Sequence, residues 1–152
     1  MTLTLQEVEG TEKQVFLLND QQIDFYWPDI MRLLGTVPGY YDFFTPEWTY
    51  AKAKSKDIQV WGLADGKVQG IIVTQILVFP AQKAFEILGA AGPGMLDFID
   101  QMEDVFEFIA QDAGCTIIIG RCRPGLEKFL RKKGAIKLAS FMIRPIGKRS
   151  EH

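Results

Sequence analysis

A short apolar run, a glycine-rich turn and a long amphipathic segment follow one another between residues 83 and 113, and this order restricts the fold strongly. Residues 84–88 predict a strand, and the glycines and alanines of residues 89–94 predict a tight turn. Apolar residues then recur every three or four positions, which predicts one buried helical face. They are Leu96, Ile99, Met102, Phe106, Ile109 and Ala113. Backbone N–H groups at the start of such a helix are able to receive an anion, although similar turns simply reverse the chain.

Length and composition are typical of one globular domain. The 152 residues are 47% hydrophobic and 24% charged. We therefore predict a single domain over residues 1–152, with frayed ends at residues 1–12 and 147–152. No apolar run approaches the ~20 residues of a membrane span, and the N-terminus lacks a signal pattern. The expected location is cytoplasmic, and no membrane partner is predicted.

Cysteine and histidine usage argues against several kinds of site. Cys115 and Cys122 are seven positions apart, which fits neither a zinc knuckle nor a Cys-x-x-Cys redox pair, so reduced structural thiols are expected. The one histidine in the sequence is the terminal residue, His152. Its position argues against Ser-His-Asp and Cys-His catalysis and against histidine-rich metal sites, and no metal site is predicted.

Charge is distributed unevenly along the chain. Residues 1–120 contain 7 Lys and Arg against 17 Asp and Glu, which is 7 − 17 = −10. Residues 121–152 contain 10 against 2, which is 10 − 2 = +8. The basic segment either forms a surface for a phosphorylated ligand or acidic partner, or complements the acidic helix within one fold. No specific nucleic-acid binding is predicted.

The first third of the chain predicts a strand and two helices. A strand over residues 15–18 precedes a helix that Asn19 or Asp20 caps and Gly35 ends, and Pro28 should kink it or start its second part. Residues 37–44 predict an aromatic loop, and Thr45 with Pro46 predicts a short helix to about residue 56. Three aromatic residues of this region either line a substrate cleft or pack in the core. They are Tyr40, Tyr41 and Trp48.

The rest of the chain predicts a meander followed by alternating helices and strands. Strands over residues 59–64 and 68–79 flank the hairpin signal Asp65-Gly66, and the strand over residues 84–88 returns. The apolar residues 115–120 predict a central, buried strand that is parallel to the third strand, because a long helix separates the two. A short helix then ends at Gly134, and residues 136–143 predict the last strand.

This order of strands and helices resembles that of the GNAT superfamily of N-acyltransferases. The resemblance covers residues 59–145, and residues 23–56 suit the family's two variable N-terminal helices. It implies an α+β fold of three layers, with a mixed central sheet, an antiparallel meander and helices on both faces.

Short motifs also resemble the small acetyltransferase-like proteins encoded among the structural genes of tailed phages. They are W-P-x-I from Trp27, V-W-G-L from Val60, V-T-Q-I-x-x-F-P from Val73, and A-x-x-x-G-C-x-x-I-I from Ala110 followed by Gly120-Arg121. This narrower resemblance implies phage structural proteins as partners and a virion-associated location.

The superfamily resemblance implies a binding site for acetyl-CoA. The family's pyrophosphate loop, [Q/R]-x-x-G-x-[G/A], falls on residues 89–94, where Gly92 and Gly94 match. The residues implied to bind the coenzyme are Leu88, Gly89, Ala90, Ala91, Gly92, Gly94 and Met95. Gly89 replaces the usual Gln or Arg, Pro93 removes one N–H donor, and Asp97 and Asp100 add negative charge. These departures predict weak or absent coenzyme binding.

The catalytic groups implied by the resemblance are incomplete. The family's aromatic-Tyr pair, whose tyrosine protonates the departing thiolate, corresponds to Phe129-Leu130, and leucine cannot donate a proton. Glu86 is the candidate general base, although the alternation F-E-I equally suits an outward-facing strand residue. Arg121 and Arg123 could contact coenzyme phosphates or a partner, or be solvated surface charges.

Two functions remain open from the sequence. The first is an enzyme that transfers an acyl group from acetyl-CoA to a primary amine, on a small molecule or a basic peptide. The second is a phage structural or accessory protein that keeps the fold without turnover.

Overall fold

The structure is a computed structural model that describes residues 13–121, 124–139 and 142–147. The chain divides into two compact units, Met1–Gly120 and Arg121–His152, which are described separately. The polar segment of residues 1–12, Cys122, Arg123 and the end of the predicted frayed tail lie outside the described residues. No helix in the described ranges is long and apolar enough to cross a membrane.

The elements of the first unit follow the predicted order, except that the predicted aromatic loop contains a short helix at Tyr40–Phe43. Its elements are β1 (Lys13–Leu17), α1 (Asp20–Leu34), α2 (Tyr40–Phe43), α3 (Pro46–Lys54), β2 (Ile58–Asp65), β3 (Lys67–Val78), β4 (Lys83–Ala91), a 3-10 turn (Met95–Phe98), α4 (Ile99–Asp112) and β5 (Ile117–Gly120).

The five strands in the described ranges form one mixed sheet in the order β1-β2-β3-β4-β5. Each of the first three pairings is antiparallel. β5 lies parallel to β4, from Ile117 opposite Ala84 to Gly120 opposite Ile87. The predicted α+β fold, with its antiparallel meander and parallel fifth strand, is confirmed.

The position of β5 differs from the prediction. Among the described strands β5 is at the end of the order, and Ile118 is 44% exposed. The prediction of a central, buried strand is therefore wrong for the described part of the chain. An apolar run identifies a strand, but it does not determine how many strands flank it.

Side-chain caps define where the first helices begin. Asn19 Oδ1 accepts a 2.8 Å hydrogen bond from the Gln22 N–H, and Gln22 Oε1 accepts a 2.9 Å bond from the Asn19 N–H. Thr45 Oγ1 accepts from the Trp48 N–H at 3.0 Å, with Pro46 in the first turn, as predicted. α1 is one continuous helix with Pro28 inside it, so Pro28 does not start a separate second part of the helix.

The core lies on both faces of the sheet. On one face, residues of α1, α2 and α3 pack against β2 and β3; they include Ile30, Leu34, Tyr40, Ala53, Val60 and Val73. On the other face, the Phe106 ring of α4 packs against Trp61 and Phe85, with ring centroids 5.0 and 5.3 Å apart. Neighbouring strand residues such as Val60 and Trp61 thus point to opposite layers.

A buried polar chain joins β2 to β3 beneath α4. Thr74 is fully buried, and its hydroxyl accepts a 2.9 Å hydrogen bond from Trp61 Nε1. The same hydroxyl donates a 2.9 Å bond to Gln59 Oε1. One buried threonine hydroxyl therefore bonds to two side chains of β2, the buried Trp61 and the half-buried Gln59.

Among its described residues the second unit contains one helix, α5 (Pro124–Lys132), in which Arg131 pairs with Glu127 at 2.8 Å. Gly134 follows it at a φ of 96°, which confirms the predicted stop. Residues 135–139 and 142–147 form no strand, and Ile136 and Leu138 are 83% and 90% exposed. The predicted last strand is therefore wrong for the described residues. Alternating apolar residues favour a strand, but the strand also needs a backbone partner, and these residues have none.

We expect Thr74→Val to lower the free energy of unfolding by about 1–3 kcal/mol, because it leaves the buried Trp61 N–H without an acceptor. Chemical denaturation measures the change. Thr116→Val is the matched control, since the exposed Thr116 hydroxyl bonds only to Gln82 and Lys83 among the described residues. An equal loss in both variants would contradict a role for the buried chain.

Candidate functional site

β4 contains one extra residue at Leu88. Thr74 of β3 lies opposite Ile87, but the preceding residue, Val73, lies opposite Gly89. Leu88 is therefore the extra residue of a β-bulge, a feature that bends a strand and increases its twist. Nothing in the sequence identified this bulge.

The partner of β4 changes at the bulge. β5 pairs with β4 only as far as Ile87, opposite Gly120. Within the described chain, residues 89–91 pair with β3 on one side, and residues 88–91 pair with no strand on the other. An open edge of β4, without a strand partner among the described residues, thus runs from the bulge to the glycine loop.

The glycine-rich segment is half strand and half turn. Gly89, Ala90 and Ala91 continue β4, which extends three residues beyond the predicted strand end at Leu88. The turn itself consists of residues 92–94, with φ of 135° at Gly92 and 72° at Gly94. A Cβ on Gly92 would lie 2.3 Å from the Gln69 carbonyl oxygen, so only glycine fits there.

The helix after this turn begins without a side-chain cap. The predicted single long helix is a 3-10 turn followed by α4, and Gly94 at its start has no side-chain hydrogen bond, unlike Asn19 and Thr45. The first N–H groups of a helix have no intrahelical acceptor. Pro93 offers no N–H, and Asp97 Oδ2 lies 3.5 Å from where a Cβ on Gly94 would be. The start of this helix is therefore short of one N–H donor and has a carboxylate beside it.

An open cleft of about 690 Å³ adjoins the loop. α1, the β2–β3 hairpin and the loop line it with Tyr26, Asp29, Arg32, Leu33, Lys67, Val68, Gln69, Pro93 and Gly94. The Arg32 guanidinium pairs with Asp29 at 3.3 Å. Sequence reasoning missed the residues of α1 and the hairpin, because they are distant in the chain from the loop and follow no motif.

Glu86 lies on β4 opposite Gln75 of β3. It is half-buried, and its Oε1 accepts a 2.7 Å hydrogen bond from Gln75 Nε2, which leaves Oε2 for another partner. It precedes Leu88 by two residues, about 7 Å along a strand. The sequence predicted Glu86 as a base but missed Gln75, although counting back from the hairpin pair Val78–Lys83 places the two opposite each other. The described residues contain no group of side chains arranged to hold a metal ion.

Tyr40 packs directly on the loop strand. A Cβ on Gly89 would lie 3.1 Å from its ring, and its hydroxyl is 2.9 Å from Thr49 Oγ1. Burial raises the pKa of Tyr40 to about 12, so it is a poor replacement for a proton-donating tyrosine. Tyr40 is thus a core residue, whereas Tyr41 and Trp48, of which a substrate-cleft role was also predicted, are half-buried.

The position implied for the family's tyrosine is Leu130, on α5 of the second unit. Its side chain has no dissociable proton. Arg121, one of the two arginines considered for phosphate contacts, is exposed; Arg123 lies outside the described residues.

We expect Gly92→Ala to destabilise the protein by at least about 1–3 kcal/mol, because its Cβ clashes with the Gln69 backbone at a strained φ. Gly66→Ala is the matched control, since Gly66 also has a positive φ of 78° but nothing within 4 Å of a Cβ. The difference between their melting temperatures isolates the clash. A Gly92→Ala protein as stable as Gly66→Ala would contradict the close approach of the loop to β3.

Comparisons with known proteins support the fold. No protein-family model matches the sequence, and no curated protein matches it. Solved structures do match. Glucosamine-6-phosphate N-acetyltransferase from Arabidopsis thaliana has a TM-score of 0.62 at 18% identity, covering 89% of this chain and 99% of its own.

Two further structures are similar at 10% identity. A predicted acetyltransferase with acetyl-CoA from Clostridium acetobutylicum has a TM-score of 0.64, covering 89% of this chain and 97% of its own. An aminoglycoside acetyltransferase from an uncultured soil sample, in complex with sisomicin, has a TM-score of 0.63, covering 88% and 96%. The chain therefore has the fold of the GNAT acetyltransferases.

Proposed function

We propose that the protein is an N-acetyltransferase that transfers an acyl group from acetyl-CoA to a primary amine. The observation that carries this proposal is the open edge of β4, which begins at the Leu88 bulge and leads to the uncapped helix start at Gly94. An extended thioester arm fits along such an edge, and a pyrophosphate fits at a helix start. The acetyl-CoA-bound structure with the same fold supports this choice of ligand.

The coenzyme would be held mainly by backbone groups. The arm would follow Leu88, Gly89, Ala90 and Ala91, and the phosphates would meet the N–H groups of Gly92, Gly94 and Met95. Pro93 subtracts a donor from this set, and the Asp97 carboxylate opposes a phosphate at the same place. Binding should therefore be weak.

Transfer would need one proton acceptor close to the thioester. The neutral amine attacks the thioester carbonyl, the N–C bond forms, and the C–S bond breaks to release the coenzyme as a thiolate. Oε2 of Glu86 would take the amine proton, directly or through one water, while Gln75 holds Oε1. The backbone of Leu88 lies outside the regular ladder, so its N–H is a candidate donor to the carbonyl oxygen as it becomes negative.

The released thiolate would take its proton from solvent, because Leu130 replaces the expected tyrosine. General acid assistance is typically worth about 10² to 10⁴-fold in rate, so turnover should be slow rather than absent.

A second candidate function keeps the fold without catalysis, as a phage structural or accessory protein that binds other phage structural proteins. The specific observations that favour it are Leu130 and Pro93, each of which lacks a group that catalysis or coenzyme binding would use. The virion would then be the location, in place of the cytoplasm.

We expect acetyl-CoA to bind more weakly than the low micromolar range, which corresponds to roughly −7 to −8 kcal/mol. Pro93→Ala should tighten binding, because it restores one N–H donor to the loop. Titration calorimetry measures both values, and Pro80→Ala, an exposed proline in the β3–β4 turn, is the matched control. Tight binding by the wild type, or no improvement in Pro93→Ala, would contradict this explanation of the loop.

We expect Glu86→Gln to lower the rate of acyl transfer by about 10² to 10⁴-fold, since it keeps the side-chain shape and removes the basicity. The assay is release of free thiol from acetyl-CoA with polyamines, amino acids and basic peptides as acceptors. Glu107→Gln, an exposed position on α4, is the control. An unchanged rate in Glu86→Gln would remove Glu86 from the mechanism. No thiol release by the wild type with any acceptor would favour the second candidate function.

A further inference from the structure

The β2–β3 hairpin contains a second bulge, and this bulge lies beside the glycine loop. Leu63 of β2 lies opposite Gly70 of β3. The next residue, Ala64, lies opposite Val68, so Gln69 is the extra residue of β3. Neighbouring residues of a regular strand point to opposite faces, and a bulge redirects one of them. Val68 and Gln69 accordingly both line the cleft of about 690 Å³ that adjoins the loop.

The loop packs on this bulge and places the Gln69 side chain at the start of the helix. A Cβ on Gly92 would clash with the Gln69 carbonyl oxygen, and Gln69 Oε1 lies 3.7 Å from where a Cβ on Gly94 would be. The Gln69 side chain is half-buried, and its Nε2 donates one long hydrogen bond of 3.4 Å to the Asp65 carbonyl oxygen. The carboxamide therefore keeps a second N–H for a ligand in the cleft.

The cleft concentrates positive charge in an acidic part of the chain. Residues 1–120 contain 7 Lys and Arg against 17 Asp and Glu, and two of those seven cations, Arg32 and Lys67, line this cleft. Asp29 is the one carboxylate in the lining, so the lining has a net charge of 2 − 1 = +1. Lys67 is exposed and forms no ion pair with a described side chain. It is therefore available to an anion.

Arg32 is only partly neutralised by its ion pair. It contacts Asp29 at 3.3 Å, and the two side chains are 67% and 56% exposed, so the attraction is screened by water. The guanidinium has further N–H donors for a second anion. Two carboxylates outside the lining oppose such an anion, since Asp65 lies opposite Lys67 and Asp97 adjoins the start of the helix. Binding of an anion should therefore be weak and sensitive to salt.

The cleft has room for more than a phosphate group. Its volume falls in the range of about 300–1,000 Å³ that is usual for small-molecule sites. Apart from the polar groups described above, its lining consists of Gly94 and four larger residues with mainly apolar surface: Tyr26, Leu33, Val68 and Pro93. A ligand that joins a phosphate group to a flat ring system would match both parts of this lining.

We propose that this cleft binds a nucleoside phosphate, with Lys67, Arg32 and the Gln69 carboxamide as the phosphate-binding groups. The apolar wall would contact the nucleoside. Such a ligand has two sources, a free nucleotide or the nucleotide half of acetyl-CoA, and only the second rests on the proposed function. In that case Gln69 would supply, from a neighbouring strand, the side-chain donor that Gly89 lacks.

The test is binding of adenosine 3′,5′-bisphosphate to the intact protein without acetyl-CoA. NMR follows the side-chain amide of Gln69 and the backbone amide of Gly94 during the titration. We expect both signals to shift at millimolar ligand or below, and the affinity to fall as salt is added. Adenosine lacks the charge and inorganic phosphate lacks the apolar contact, so each should bind more weakly than the bisphosphate.

Two variants test the proposed side chains. Lys67→Gln should weaken binding of the bisphosphate by about twofold to fivefold, the usual worth of an exposed charge pair. Gln69→Glu keeps the side-chain shape but places a carboxylate beside the phosphate, and should weaken binding by about tenfold or more. Neither variant should change the affinity for adenosine. Lys67 is exposed, so its variant retains the test if Gln69→Glu fails to fold, which circular dichroism checks.

Matched controls make the same charge changes elsewhere. Lys52→Gln lies on α3 and Gln111→Glu lies on α4, and neither residue lines the cleft. Both controls should leave the affinity for the bisphosphate unchanged within about twofold, because distant exposed charges are screened.

A competition experiment distinguishes the two sources of the nucleotide. Displacement of the bisphosphate by acetyl-CoA would identify the nucleotide half of the coenzyme, and simultaneous binding would identify a separate nucleotide.

Three results would overturn the inference: no binding of the bisphosphate at millimolar concentration, adenosine or phosphate bound as tightly as the bisphosphate, or unchanged affinity in Lys67→Gln. Absence of thiol release from acetyl-CoA would instead refute the proposed acyl transfer. The two failures are distinguishable, because the binding titration contains no coenzyme.

Discussion

The candidate site depends on one register shift, the bulge that inserts Leu88 between the pairs Thr74–Ile87 and Val73–Gly89. Thr74 of β3 is fixed by hydrogen bonds from its hydroxyl group to the Trp61 and Gln59 side chains of β2. Because side chains alternate along a strand, slipping β4 by one residue would reverse the face of every residue after Ile87. The bulge lets Phe85 face α4 while Gly89 meets Tyr40 on the opposite face, and both contacts are buried. It also coincides with the end of the β5 pairing, and this coincidence creates the open edge.

The packing that orders the loop also limits what the loop can bind. Gly92 lies against the β3 backbone, and Gly89 lies against the Tyr40 ring. Neither position therefore has room for a long side chain. At Gly89, this excludes the Gln or Arg that the resemblance leads us to expect at the start of the motif. In the proposed function, phosphate recognition would rely on backbone N–H groups, and Pro93 removes one of them. The tight packing of the loop is therefore compatible with the weak coenzyme binding that we propose.

Local chemistry made much of the fold predictable. The caps at Asn19 and Thr45, the Asp65-Gly66 hairpin and the parallel fifth strand each follow from short-range patterns or from the length of one crossover. Properties that depend on distant partners were not predictable. The edge position of β5, the Leu88 bulge and the cleft formed by α1, the β2–β3 hairpin and the loop depend on how separate segments meet. Glu86 and the loop glycines were identified from the resemblance. The hydrogen bond that Gln75 donates to Glu86 was not predicted and is seen only in the structure.

The most direct measurement of the coenzyme site is an NMR titration of uniformly labelled protein with acetyl-CoA, read as shifts of the backbone amides. If the open edge of β4 and the uncapped helix start receive the coenzyme, the largest shifts will fall on residues 88–92 and 94–95, even when saturation requires millimolar ligand. Amides on β1 and at the outer end of α4 should not move. Shifts confined to residues away from β4 and the loop, or no shift at any amide at millimolar acetyl-CoA, would contradict the assignment of this edge as the coenzyme site.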